Sequence, residues 1–516
     1  MKLESNPSAG QNSPLATALI LVISFTLSRL AFWFMGVRYD SSVFDWGFQC
    51  LDSHVLQNRL LPALLNLHSQ PPGFNLFLGI VLKVFPGSPA PCFHVLYMLL
   101  GFALYCALYC FLRLSQFARL PAILVAFAYI ISPGSILYEN WLFYTYPVAA
   151  LLVLCAVALC RFHNTGQTVY AGVFLVLCAS VCLTRSTFHL LFLLACVPFV
   201  LIPRGIRRRR VALCAVAAIC LVTALYVKNL AMFGFFGNSS WLGMNLFKTA
   251  SAHVGPDCIK NLVRSGNISA IASIPSFSPL SEYRDRIAAL PQHRYLSPPP
   301  PELAAPAKSN GTPNFNHEAY ISISREYWGA ALRLIRMKPL QFARTLIGSW
   351  QFYTRPSWDY KPLRTNTAAL SQYTAVLSDL RDRVFVDADS FKRHFSTIIT
   401  PGVRYPLTSL LAFPLILLVA GLRSAVFLYQ IVRYGNTSGL AFIFMTMTVL
   451  YVAVLGNSLE YGENNRFRVE TDPLIFLLVA VMCRDLFVNI ARWRRRPDAK
   501  SYSSILKNYF RGRNTI

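Results

Sequence analysis

Five titratable side chains crowd into one stretch between two apolar runs: Asp40, Asp45, Asp52, His54 and His68. The chain has only 22 Asp and Glu in 516 residues, so this grouping points to a site that needs carboxylates. A carboxylate at a membrane surface can serve as a general base, drawing a proton from an acceptor during group transfer. It can also bind a divalent metal through oxygen. The competing reading is that these acids are solvated or cap short helices, which suits Asp45 and Asp52. The stretch closes on His68-Ser-Gln-Pro-Pro-Gly-Phe-Asn75. Its two prolines fix the start of the next helix and would hold His68 and Gln70 at the interface, able to orient a polar substrate.

A second group is Tyr138-Glu139-Asn-Trp-Leu-Phe-Tyr-Thr-Tyr-Pro147. A carboxylate among aromatic rings suits sugar recognition; an interfacial aromatic belt explains the Trp and Tyr but not Glu139. Asp40, His68 and Glu139 could together hold a metal ion, and no other cofactor is indicated. Cations follow. Arg185, in Thr184-Arg-Ser-Thr-Phe-His189, lies between two apolar runs on what would be the outer side, against the positive-inside bias, which suggests a phosphate partner. Glu460-Tyr-Gly-Glu-Asn-Asn-Arg-Phe-Arg468 sets Glu463 and Arg466 before the last apolar run, as substrate ligands or as a salt-bridged loop. Lys248, closing Ser239-Ser-Trp-Leu-Gly-Met-Asn-Leu-Phe-Lys248, could hold a headgroup.

The elements positioning these groups are membrane helices. Residues are 55% hydrophobic and 14% charged, with mean hydropathy +0.45, against roughly a quarter charged in soluble domains. Apolar runs near 15–36, 73–86, 93–112, 118–133, 141–161, 168–184, 188–202, 211–231, 406–432, 438–456 and 473–490 are candidate spans, a crossing helix needing ~20 such residues. The chain is read as an all-α polytopic membrane protein. The first run is read as a retained helix, since no small-x-small cleavage site follows it. The net charge of +26 is no nucleic-acid footprint, because Arg207–Arg210 and Arg492–Arg496 cluster beside spans, where they mark cytoplasmic ends and touch anionic lipid. Most of the 13 cysteines sit in apolar runs as small apolar residues; Cys50 and Cys258 could form a disulfide.

Organised along the chain, this predicts a cytoplasmic N-terminus (1–14), a helical catalytic module (15–231) with outer loops 37–72 and 135–146, an outer segment (232–405), terminal spans (406–490) and a basic cytoplasmic tail (491–516). The outer segment holds a Pro-rich linker near 297–306, then a basic amphipathic helix over 318–348 that Pro339 kinks or splits; it lies on the membrane or packs on a small domain. Placing the arginines inside leaves the parity wrong by one, so 73–86, 118–133 or 188–202 is incomplete, with the first two favoured. Walker A, GxGxxG, GxSxG, HExxH and EF-hand patterns do not occur.

Taken together, Asp40, the His68-x-x-Pro-Pro opening, the Glu139 aromatic motif and the late Glu463-x-x-Arg466-Phe resemble the GT-C membrane glycosyltransferases. The likeness is to the bacterial family 39-like branch, relatives of protein O-mannosyltransferases and the lipid A aminoarabinose transferase. It covers mainly residues 37–200. It implies a GT-C-like bundle of about 10–11 transmembrane helices with a long extracytoplasmic loop domain, in a bacterial inner membrane. In an endoplasmic reticulum membrane, the sequons at Asn238, Asn267, Asn310 and Asn436 would matter. It further implies inverting transfer of a sugar from a polyprenyl-phosphate donor to an acceptor (protein, lipid or glycan). Asp40 would be the base, Glu139 an acceptor or metal contact, and Arg185 or Arg466 a phosphate ligand. The family has an acidic pair where this chain has Asp40-Ser41-Ser42, which leaves Asp45 a rival base. A transporter or flippase for an amphipathic or lipid-linked substrate is the alternative; it would favour matched broken helices and mid-span charges, rather than acids at loop edges.

Overall fold

The computed structural model describes residues 14–203, 208–287, 299–384 and 407–494. The parts of the predicted termini, linker and outer segment beyond these lie outside the described residues. Apolar helices dominate: α1 (Pro14–Phe34), α2 (Pro72–Val84), α3 (Pro89–Leu114), α4 (Arg119–Ile130), α5 (Pro133–Glu139), α6 (Thr145–Thr165), α7 (Thr168–Thr184), α8 (Leu190–Leu201) and α9 (Arg208–Phe233). After these come α10 (Leu242–Ser251), α11 (Ala319–Met337), α12 (Pro339–Thr354), α13 (Leu407–Tyr434), α14 (Leu440–Leu459), α15 (Asn464–Val469) and α16 (Asp472–Arg494). Among the described residues there is no strand, only isolated bridges at Asp40–Trp141 and Ala307–Pro313. The protein is an all-α, multi-pass membrane protein.

Counted by length among the described residues, seven helices are long and apolar enough to cross, or eight if α4 and α5 form one span. Those two meet at a 62° bend. Pro133 has no N–H to continue α4 and forces Ser132 into an extended conformation (ψ 145°), so the chain turns there. The shorter apolar helices are α2, α7 and α8. At 1.5 Å per residue, α2 reaches only ~20 Å of a ~30 Å hydrocarbon layer.

The packing explains how α2 escapes crossing. Tyr39, just past α1, stacks on His94 near the start of α3 (5.0 Å), and Phe77 of α2 meets Phe93 (5.7 Å). So α1 ends where α3 begins, and α2 starts and finishes at that same end of the bundle. Arg484 of α16 lies over Phe117, past the other end of α3, at 5.5 Å. That return matches the reading of 73–86 as an incomplete span; α8, of similar length, and the bent α4–α5 pair are the other short segments.

One hydrophobic core runs through the bundle, and a second gathers Trp241, Met244, Phe247, Tyr283, Phe315, Tyr320, Ile323, Tyr327 and Leu334. Pro339 splits the expected amphipathic helix into α11 and α12 at Lys338 (φ −132°). The apolar face of α11 goes into the second core, and Arg325 donates to the Gly234 carbonyl (2.8 Å). This helix thus packs on protein. The axis of that core is the crossing of α10 and α11 at Gly243, where an added Cβ would lie 1.8 Å from the Ser324 carbonyl oxygen. Helix backbones cannot yield that far. Gly243→Ala is expected to cost about 3 kcal/mol, the upper range for overpacking, and a melting curve of detergent-purified protein unchanged from wild type would refute the crossing.

The potential disulfide is corrected: Cys50 and Cys258 are both free thiols, and Cys50 is buried.

Candidate functional site

A cavity of about 320 Å³ opens where the loop before α2, the α7–α8 turn, α10 and the α14–α15 turn meet. Arg185 caps the C-terminus of α7, and Arg466 sits on α15; both are only 3% exposed. They converge on Tyr144, Arg185 Nη1 donating to its hydroxyl and Arg466 Nη1 doing so at 3.2 Å. Arg466 Nη2 also donates to Glu463 Oε2 (2.8 Å), and Arg185 Nε lies 2.9 Å from Glu470 Oε1. Phe467 lies under both guanidinium groups, 4.3 Å from Arg185 and 5.2 Å from Arg466. Among the described residues, Arg185 Nη2 and Arg466 Nε remain buried without a hydrogen-bond partner. A buried donor left unmatched costs about 1–3 kcal/mol, so the pair is primed for an anion.

The α14–α15 turn is what aims these groups. Gly462 adopts φ +108°, a conformation that favours glycine, and lets the chain reverse. Asn464 then staples the turn, donating to the Glu460 carbonyl (2.8 Å) and Asn457 Oδ1 (3.0 Å). Asn465 ties it to the Pro356 and Asp359 carbonyls. Glu460, Glu463 and Arg466 consequently line one cavity. Across it Lys248, on α10, donates to Glu460 Oε1 (2.5 Å). Burial disfavours the Lys248 ammonium, but Glu460 and Glu463 outweigh this and raise its pKa. Desolvation would raise Glu463, yet Arg466 and Lys248 hold it below the usual carboxylate range. Burial lifts the Glu470 carboxyl above the usual range despite Arg185 and Arg466.

The rest of the lining is suited to hydroxyl groups. The side-chain amides of Gln49, Gln70 and Asn245 carry no hydrogen bond among the described residues, and Phe48, Trp241 and Phe277 form an aromatic wall.

Of the residues singled out from the sequence, the cavity gathers Gln70, Arg185, Lys248, Glu463 and Arg466. It does not take in His68. Far from presenting a ring to substrate, His68 is fully buried, with Nδ1 on Ser240 Oγ (2.8 Å) and Nε2 on the Asn316 carbonyl (2.9 Å). Burial lowers its pKa to about 3, Lys228 and His317 adding to the effect. An unfolded chain takes up this proton near pH 6.5. Stability is therefore complete above that value and declines by about 1.4 kcal/mol per pH unit below it. The acid limb of the melting temperature between pH 6.5 and 5 should flatten in His68→Gln; parallel curves would assign that limb to another group.

Asp40 lies on a strip of backbone paired with the Glu139 motif: its N–H donates to the Asn140 carbonyl and its carbonyl accepts from Leu142, both at 2.8 Å. Its Oδ1 accepts from the Ser42 N–H (2.8 Å). Asp45 is in the short helix Val43–Trp46, and its side chain lies outside what is described. Asp52 is a helix cap, holding the His54 N–H (2.9 Å) and Ser309. Its carboxyl falls below the usual range because these donors overcome partial burial. Glu139 faces a separate apolar cleft and is ion-paired with Arg29, whose Nε donates at 2.8 Å. Asp40, His68 and Glu139 thus have different partners, and among the described residues no group of three His, Cys, Asp or Glu can hold a metal ion.

Sequence reasoning missed Arg29, Tyr144, Glu460 as the Lys248 partner, Glu470 and the two bracing asparagines. Arg29 carried a signal, a charge inside a first span. No family model, curated protein or solved structure matches this chain.

Proposed function

We propose that this protein is a GT-C-type membrane glycosyltransferase, moving a sugar from a polyprenyl-phosphate donor to an acceptor on the extracytoplasmic face. The supporting observation is the guanidinium pair, Arg185 and Arg466: each keeps a buried N–H without a partner among the described residues, and both residues line a cavity that also offers free amides and aromatic faces. That combination suits a phosphate joined to a hydroxyl-rich ring. In the reaction an acceptor oxygen attacks the anomeric carbon as its bond to the phosphate oxygen breaks, inverting that carbon. The electron pair leaves with the lipid phosphate, stabilised by Arg185 and Arg466, and the acceptor proton passes to Asp40, with Asp45 its rival. Lys248 and Glu463 set the charge around the phosphate, and Gln70 contacts the sugar.

The test is release of polyprenyl phosphate from a panel of labelled lipid-phosphate sugars by protein in nanodiscs, with crude envelope extract as acceptor source. Release by wild type and its loss in Asp40→Asn supports the reading. Normal turnover by Asp40→Asn with loss in Asp45→Asn moves the base. No release from any donor, with labelled lipid carried across liposomes, makes the protein a transporter.

A further inference from the structure

A second, larger cleft of about 620 Å³ lies between α1 and α3 and is apolar almost throughout. Val22, Thr26, Arg29 and Trp33 line it from one face of α1, and Val95, Met98, Leu99 and Phe102 from one face of α3, each set at helical spacing. Val22, Leu30, Trp33, Val95 and Leu99 are exposed, so this slot is continuous with the hydrocarbon around the bundle. Its end is polar: Arg38, Tyr39, His94 and Asn140 line it there, and the Tyr39 hydroxyl is buried without a partner among the described residues. The strip pairing Asp40 with Asn140 and Leu142 begins at that polar end and runs on to Tyr144, which lines the other cavity.

We infer that the acceptor is itself a membrane amphiphile: its chain fills the α1–α3 cleft, and its hydroxyl-bearing head lies at Tyr39 and Asn140, next to Asp40. This rests on the transferase reading above. It puts Asp40, which pairs with Asn140, beside the hydroxyl it deprotonates. The donor chain has a different way out. A pocket of about 200 Å³ shares Phe236, Gly237, Ser239 and Leu242 with the polar cavity, and Phe236, Leu242 and Trp328 there are exposed. In a bilayer, apolar burial alone selects no lipid, since the chains outside are equally apolar. Selection falls to the polar end.

The probe is an alkyl glucoside carrying a diazirine in its chain, crosslinked to full-length protein in nanodiscs and mapped by mass spectrometry. Labels are expected on residues 22–33 and 94–102. Met98→Trp and Thr26→Trp, which fill the cleft from opposite walls, should each lower labelling and sugar transfer into organic-extractable product at least tenfold. Val176→Trp, on a different exposed face, controls for folding and should leave both unchanged. Labelling elsewhere, full transfer by both filled variants, or transfer only into protein overturns the inference. So does labelling of the cleft by a diazirine polyprenyl phosphate that the glucoside cannot displace. Cleft labelling by the glucoside with no donor turnover in wild type would instead keep the lipid site and reject the transferase.

Discussion

Arg466→Met is expected to reduce release of polyprenyl phosphate by 10²–10³-fold, about 2.7–4 kcal/mol, the usual loss when one preorganised charge stabiliser is removed. Arg466 is placed for this by packing that would otherwise be wasteful. It is buried against Phe143, Tyr144, Tyr360 and Phe467, and Glu463 satisfies only part of its donor fork. Arg466→Lys should not restore the rate. A lysine carries the charge but not the planar fork that reaches Tyr144 and Glu463 while leaving an N–H for the ligand. A loss confined to KM, with kcat intact, would show that Arg466 merely binds the donor equally in ground and transition states. Full activity in Arg466→Met would remove the anion site from the mechanism.

Glu139→Gln is expected to act on the fold before it acts on turnover. The Arg29–Glu139 pair is buried, and removing one partner leaves an uncompensated charge, at a cost of about 3–5 kcal/mol. The surroundings were shaped around it. A Cβ on Gly101 would lie 2.1 Å from Glu139 Oε2, and Tyr146 donates to the same oxygen at 3.0 Å. Yield of folded protein from detergent should fall sharply in Glu139→Gln and in Arg29→Met alone. The double variant Arg29→Met, Glu139→Leu should recover much of that loss, since two apolar groups of similar volume need no pairing. Should the double variant fold and still transfer sugar at the wild-type rate, Glu139 is structural and has no part in binding the acceptor. If it folds and is inactive, the acidic contact is chemical.

The membrane class was legible because apolar runs of the right length announce themselves. The number of crossings was not, since α2 is apolar like a span and differs only in where its ends return. Arg185 was singled out because a charge beside a span against the positive-inside bias needs a reason, and Arg466 because two acids and two arginines share the short motif before the last span. His68 misled: a histidine before two prolines reads as interfacial from its neighbours, while its actual partners, Ser240 and Asn316, come from far along the chain. The same distance hid Glu139's partner, Arg29, 110 residues away. Local patterns name the residues of a site; they do not say which side of a partition each one faces.

That separation also bears on biosynthesis. α1 emerges first and carries Arg29 into the bilayer in its last third, where an unpaired arginine is costly, the limit being about 2.5–3.5 kcal/mol at a helix centre. Its carboxylate follows 110 residues later, roughly 5–20 s at ordinary translation rates. For that interval the first helix is inserted on credit, its charge snorkelling to the surface or sheltered by insertion machinery. A nascent chain halted near residue 125 should thus be extractable by alkali, and one halted beyond 165 should resist, so the last turn of a seven-residue helix decides when the first span becomes permanent.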